Sequence, residues 1–126
     1  MNDLAVFRIG HDRAQWLAAR VAIVASNVAN ADTPGYRAKD ISPFGSALNE
    51  ARVEMQRSRA SHLIAPQDIG TRYGVVPREG EIEKHSGNSV SLEAEMAVLG
   101  ETKSQQTAVT AILGAFHRML LSSTRG

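Results

Sequence analysis

Cysteine is absent from this 126-residue chain, which excludes disulfides and thiolate metal sites and leaves the redox compartment unreadable. Aromatic residues are scarce at 5%. The apolar content therefore rests on Ala, Val, Leu and Ile, which suits slender helix packing better than a thick globular core. An excess of either charge is also missing: the formal net charge of +1 excludes the strong field by which nucleic acid or an anionic surface is usually held. No run of about 18 consecutive apolar residues occurs, so no membrane-crossing helix is expected. The first residues, Met1 to Arg8, lack a basic head followed by an unbroken apolar stretch, and no cleaved secretory signal is expected from them.

Proline is missing from both ends. Pro34, Pro43, Pro66 and Pro77 all lie in the middle, so the two termini are free to be helical. From Asp3 to Asn30 an apolar seam runs through Phe7, Gly10, Ala14, Leu17, Val21, Val24, Val28 and Ala31, in alternating steps of three and four that mark a coiled-coil stripe. Trp16 falls on the flank of that stripe. Gly10 and Ala14 are small enough to let a neighbouring helix approach closely. At the other end Ser91 is placed to cap a second long helix, with Glu93 and Glu95 in its first turn, where the helix dipole favours negative charge. Its seam continues through Leu92, Met96, Leu99, Thr102, Gln106, Val109, Ile112, Leu113, Phe116, Met119 and Leu120, and its polar middle predicts hydrogen-bonded contacts. Gly100 and Gly114 each cost about 1 kcal/mol relative to Ala inside a helix, a cost that close packing would offset.

Between the helices the pattern weakens. Ser42-Pro43 reads as N-cap and first helical position of a short amphipathic helix over residues 43–56, carrying Phe44, Ala47, Leu48, Ala51 and Met55. From Arg57 to Asn88 glycine and proline punctuate the chain. Val75 and Val76 are candidates for a short strand beside Ile64 or Ile69, but nothing predicts a larger sheet. The expected fold is all-α: long N- and C-terminal helices pairing as a coiled-coil-like domain, with a short third helix and an irregular middle segment. The expected spans are helix 1–31, turn 32–42, helix 43–56, loop 57–90 and helix 91–124, forming one domain over 1–126. The loop is expected to order against neighbouring subunits, since so long a structureless segment is unusual within a compact domain.

No chemistry is evident. His11, His62, His85 and His117 are dispersed, and none has the spacing that puts two metal ligands on one helical face. Glu79, Glu81 and Glu83 alternate without a pocket to position them for acid–base work; this acidic run offsets a small basic cluster of Arg52, Arg57 and Arg59, which it is free to meet across an interface. There is no phosphate-cradling glycine loop and no nucleophile elbow. No cofactor, metal or catalytic residue is expected, and the chain reads as a non-enzyme.

The most specific stretch is Ser26-Asn27-Val28-Ala29-Asn30-Ala31-Asp32-Thr33-Pro34-Gly35-Tyr36-Arg37-Ala38-Lys39-Asp40. Pro34 presets φ for the second position of a β-turn, Gly35 supplies the positive φ that a type II turn needs next, and the helix before them is expected to end between Asn27 and Ala31. This run resembles the N-terminal signature of the bacterial flagellar axial and basal-body rod proteins, in particular of the proximal rod: Asn27, Val28, Ala29, Asn30, Asp32, Thr33, Pro34, Gly35, Tyr36, Ala38 and Asp40 match it. A second stretch, Gly87 to Met96, resembles the signature that opens the family's C-terminal helix, through Asn88, Val90, Leu92, Glu95 and Met96, with Ser91 in place of the usual Asp.

The resemblance implies a structural subunit without catalytic activity, exported through the flagellar type III apparatus without a cleaved signal. It would assemble in the periplasmic space as the base of the rod. Implied partners are further copies of itself, a FliE-like adaptor, FlgC-like and other rod proteins, and the export gate; nucleic acid is not among them, and the chain does not itself span a membrane. The expected assembly seam is Phe7, Ala14, Leu17, Val21, Val24, Val28, Leu99, Val109, Ile112, Leu113, Phe116 and Leu120. Alternatives are another axial component of the FlgC-like kind or, from a different class, a small helical adaptor or regulator that binds a partner helix.

Overall fold

A computed structural model describes residues 2–49, 73–80 and 82–125. Two long helices dominate it, α1 (Asn2–Ala29) and α2 (Leu92–Thr124), joined through two short strands, β1 (Lys39–Ile41) and β2 (Val75–Pro77). The paired terminal helices expected from the seams are present. They run antiparallel: Asn27 meets Glu95 near one end, Arg13 meets Gln105 midway, and Gly10 packs on Leu113 near the other.

The small residue at position 10 is what lets the helices close. A Cβ there would stand 2.5 Å from Leu113 Cδ2 and 3.2 Å from its Cγ, nearer than atoms pack without something shifting. Of the α1 seam, Leu17 and Val24 are fully buried, while Phe7, Ala14, Val21 and Val28 are half-buried. On α2 the inward stripe is Glu95, Leu99, Thr102, Gln106, Val109, Leu113, Phe116 and Leu120, with Glu95 and Thr102 fully buried and the others half-buried. Leu92, Met96, Ile112 and Met119 are instead exposed. Apolarity alone placed them on the seam; from Leu99 onward the inward stripe follows that reading without Ile112 and Met119, whereas in the first turn the buried residue is Glu95 rather than Leu92 or Met96.

The expected polar contacts mid-helix exist. Arg13 Nη2 donates to Gln105 Oε1 at 2.9 Å, and Thr102 Oγ1 donates to the Val98 carbonyl at 2.7 Å. Gly100 departs from expectation, because among the described residues nothing lies within 4 Å of a Cβ built there.

α1 has a second intramolecular partner besides α2. Trp16 is buried rather than flanking, in a cluster with Leu17, Ala19, Ile41 and Tyr73, to which Ile23, Phe44, Ala47 and Val109 add. Its indole N–H donates to the Ser42 carbonyl at 2.8 Å, and its ring meets that of Phe44 edge-on, centroids 6.1 Å apart. The Arg13 guanidinium lies 4.5 Å from the Trp16 ring centroid and that of Arg20 5.7 Å from it, so two cations one turn to either side brace the indole. Burial first, and repulsion from Arg20 second, lower the Arg13 pKa from its ordinary value; a guanidinium remains charged regardless.

β1 and β2 pair antiparallel, Lys39 opposite Pro77 and Ile41 opposite Val75, with flanking bonds Ser42 N–H to Gly74 O and Arg78 N–H to Ala38 O extending the ribbon. Residues 39–41 thus lie in a strand, not a turn, and Val75 and Val76 pair with them; Ile64 and Ile69 lie outside the described residues. The Ser42 hydroxyl donates to the Gly74 carbonyl instead of capping the next helix. Helical structure is seen over residues 44–49. The rest of the expected 43–56 helix, the expectation for 57–72, and Arg52, Arg57 and Arg59 lie outside the described residues.

Candidate functional site

The site is a hydrogen-bonded joint in which the stretch ending α1 and the stretch opening α2 hold each other. α1 ends at Ala29, where the Asn30 N–H and its side-chain amide both donate to the Ser26 carbonyl, at 3.1 and 2.8 Å. Next comes the turn: Tyr36 N–H donates to Thr33 O at 3.2 Å, with Pro34 and Gly35 as its central residues and Gly35 at φ 73°. These are the marks of a type II turn.

Across from it the residues before α2 lie along the turn like a splint. Gly35 N–H donates to Ser86 O and Ser89 N–H to Tyr36 O, both at 3.0 Å, and Ala38 N–H donates to Ser89 Oγ at 2.9 Å. Gly87 stands with positive φ of 76°, and a Cβ there would lie 3.4 Å from Gly35 Cα, so the two glycines permit the close approach. The fully buried Asn88 pins the arrangement: its amide donates to the carbonyls of Asn30 and Thr33 at 2.9 and 2.6 Å, while its oxygen accepts from Val90 N–H at 2.7 Å.

Asn27, also fully buried, works one turn back. Its Nδ2 donates to Lys39 O at 2.8 Å and its Oδ1 accepts from Lys39 N–H at 3.0 Å. The carboxamide thus takes the place that a neighbouring strand's peptide group would take, and closes the outer edge of β1. The same side chain donates to Glu95 Oε2 at 3.2 Å and accepts from the Tyr36 hydroxyl at 3.3 Å.

Glu95 continues the chain of contacts. Fully buried in the first turn of α2, it receives Arg78 Nη1 on its other oxygen. The second Arg78 nitrogen stands 3.7 Å from Asp40 Oδ2, and Asp40 accepts a two-point grip from Arg20 Nε and Nη2, each at 3.1 Å. Two carboxylates and two guanidiniums therefore alternate from α1 through β1 and the residue after β2 to α2. A buried charge left alone is costly, so each of these groups depends on the others. Glu83 joins only peripherally, through an exposed pair with Arg37 at 3.4 Å.

Of the sequence-marked residues, the structure gathers Asn27, Asn30, Thr33, Tyr36, Asp40, Asn88, Val90 and Glu95 into this joint. Pro34 and Gly35 shape it from an exposed position; Asp32 is exposed beside it, and Leu92 and Met96 face away. Arg78, Arg20 and Ser89 complete it and were not marked. One signal pointed to Arg78: Glu95 falls in step with Leu99, Thr102 and Gln106, and a carboxylate on an inward stripe demands a cation. The polar groups of the joint are engaged largely with one another. Among the described residues, no three His, Cys, Asp or Glu side chains are grouped to hold a metal.

Residues 7–37 match the model of a family described as flagella basal body rod protein. The chain is 35% identical to flagellar basal body rod protein FlgB of Agrobacterium fabrum (strain C58) over 130 residues, covering 99% of this chain and 96% of that one. It is 30% identical to the FlgB of Escherichia coli (strain K12), covering 92% and 91%, and 28% identical to that of Bacillus subtilis (strain 168), covering 82% and 81%. With likeness to the Agrobacterium protein running over nearly the whole of both chains, and with residues 7–37 matching the family model, this chain belongs to the flagellar basal body rod protein family.

Proposed function

We propose that the chain is a structural subunit of the proximal rod of the bacterial flagellar basal body, polymerising with other rod proteins at the base of the drive shaft. The observation that carries this is the joint: both signature stretches are spent on holding an elongated helix pair, not on forming a cleft. The family is structural, in keeping with a scaffold rather than an enzyme, and no helix among the described residues is long and apolar enough to cross a membrane. The name of the relatives, FlgB, favours the proximal rod over a FlgC-like component.

In this reading the subunit travels through the type III apparatus without a cleaved signal and assembles in the periplasmic space. Its neighbours are copies of itself, a FliE-like adaptor, FlgC-like and other rod proteins, and the export gate. A deletion strain tests the function directly: it is expected to lack the rod and to be non-motile, with both restored by the intact gene. A deletion strain that still swims and builds basal bodies with rods would exclude the assignment.

A further inference from the structure

Arg13 is a half-buried cation of α1 that stands outside the ion chain of the joint. Arg20 is held by Asp40, whereas among the described residues no carboxylate pairs with Arg13. Its partners are of other kinds. Nη2 donates to Gln105 Oε1 on α2 at 2.9 Å. The guanidinium carbon lies over two rings at once, 4.5 Å from the Trp16 centroid and 5.0 Å from that of Phe44, both inside the roughly 6 Å over which a cation is drawn to an aromatic face.

Each side of this contact is fixed from behind. Gln105 Nε2 donates to Glu101 Oε1 at 3.1 Å, one turn earlier on α2. An ionised carboxylate only accepts, so the amide nitrogen of Gln105 faces Glu101 and its oxygen is left for Arg13. The charge of Arg13 is thereby answered at one remove by Glu101, through a polarised amide. On the aromatic side, the Trp16 indole N–H is tied to the Ser42 carbonyl at 2.8 Å, and the Phe44 ring stands edge-on to Trp16. Residues 42–44, with the helical structure that begins at Phe44, therefore meet α1 where Arg13 covers it. A guanidinium can serve both sides, because it is planar, weakly hydrated and donates from its edge while its face lies on a ring. The ammonium of lysine is a compact, strongly hydrated point charge and cannot.

We infer that Arg13 is a clasp that couples the docking of α2 on α1 to the seating of the segment after β1. Gln105 holds the guanidinium over the rings, and the rings hold it within reach of Gln105, so release of either side loosens the other. α2 is thus linked to residues 42–49 through a side chain of α1, about 21 Å along that helix from Asn27 at 1.5 Å per residue. The joint links α2 to the strands; the clasp is a second and separate tie. Arg13 is a positioning residue, and its role rests on the fold rather than on the rod-subunit reading.

A triple-mutant cycle on the purified full-length chain tests the clasp. Gln105→Ala and Phe44→Leu, singly and together, are compared in the Arg13 and Arg13→Met backgrounds at one protein concentration, methionine keeping an apolar stem. With Arg13 present, removing the second side should cost less than removing it first, by about threefold or more in the folding equilibrium constant. In the Arg13→Met background the two losses should add. Trp16, the single tryptophan, supplies a second readout: Gln105→Ala, a change on the other helix, should alter its fluorescence spectrum when Arg13 is present and leave it unchanged in the Arg13→Met background. Additive losses in both backgrounds would overturn the clasp, and so would equal coupling in both, since the coupling would then bypass Arg13. Arg13→Lys should behave as Arg13→Met does; coupling retained with lysine would overturn the guanidinium's part. If Arg13→Met does not fold, the same cycle in the Arg13→Lys background, which keeps stem and charge, decides the matter. Every readout comes from the isolated chain, so failure of the clasp leaves the rod reading standing, whereas that reading falls with a motile deletion strain.

Discussion

Asn27 shows how much one uncharged side chain can hold. Its carboxamide completes the edge of β1, anchors Tyr36 and reaches Glu95, so Asn27→Leu would strand a peptide group and a carboxylate oxygen where water does not reach. The expected loss is about 2–4 kcal/mol on the usual cost of orphaned buried polar groups, read as a lower denaturant midpoint. Asn27→Gln should rescue little, because the longer chain misplaces both ends of the amide. Gly35 makes a different point. Among the described residues nothing lies within 4 Å of a Cβ built there, yet its φ is +73°, so Gly35→Val should destabilise through backbone strain, by about 1–2 kcal/mol, and impair rod assembly more than its exposed position suggests. Gly35→Asn, whose side chain tolerates that conformation, should cost clearly less; equal effects from the two would place the cause elsewhere.

The helices differ in how their glycines serve them. Gly10 is a contact point, and Gly10→Val would push a branched side chain into Leu113, at an expected cost of about 1–3 kcal/mol from overpacking. Gly100→Ala meets nothing within 4 Å among the described residues and should raise the melting temperature of the chain, in keeping with the roughly 1 kcal/mol that separates the two residues in a helix. Thermal melts of both variants should therefore shift in opposite directions. On the α2 seam, Leu113→Asp or Phe116→Asp puts a charge into the helix interface and should abolish assembly and motility while leaving synthesis intact; normal swimming would remove these residues from the seam. β1 and β2 are each three residues long, too short to stand alone, and persist because Trp16, Ile41 and Tyr73 pack beneath them and Asn27 closes their edge.

Among the described residues the apolar core is thin. Eight hydrophobic residues are buried among those described, from Trp16 to Val90, and a helix pair with so small an interior gains little from burial by itself. Helicity of the purified chain is therefore expected to rise with protein concentration, as packing between subunits covers what one subunit leaves open. A dilute sample that already shows full helicity and a cooperative melt would exclude that coupling between folding and assembly.

Local chemistry wrote the helices and the turn plainly. Apolar steps of three and four, proline confined to the middle, Ser91 ahead of two acidic residues and Pro34-Gly35 after an Asn each act on near neighbours, so their consequences could be read from spacing; the Ser91 hydroxyl does accept from the Ala94 N–H at the start of α2. The rest depended on partners far apart in the chain. Trp16 became core because Ser42, Phe44 and Tyr73 arrive beside it, and β2 pairs with β1 where α1 offers β1 a platform. Glu95 turned inward because Arg78 and Asn27 were there to meet it. The sequence by itself determined two helices and a turn, through interactions within a turn or two of each residue. That Glu95 rather than Leu92 or Met96 turns inward at the start of α2, and which charge is buried, only the tertiary structure decided, because desolvating a carboxylate is tolerable only once its distant partners are in place.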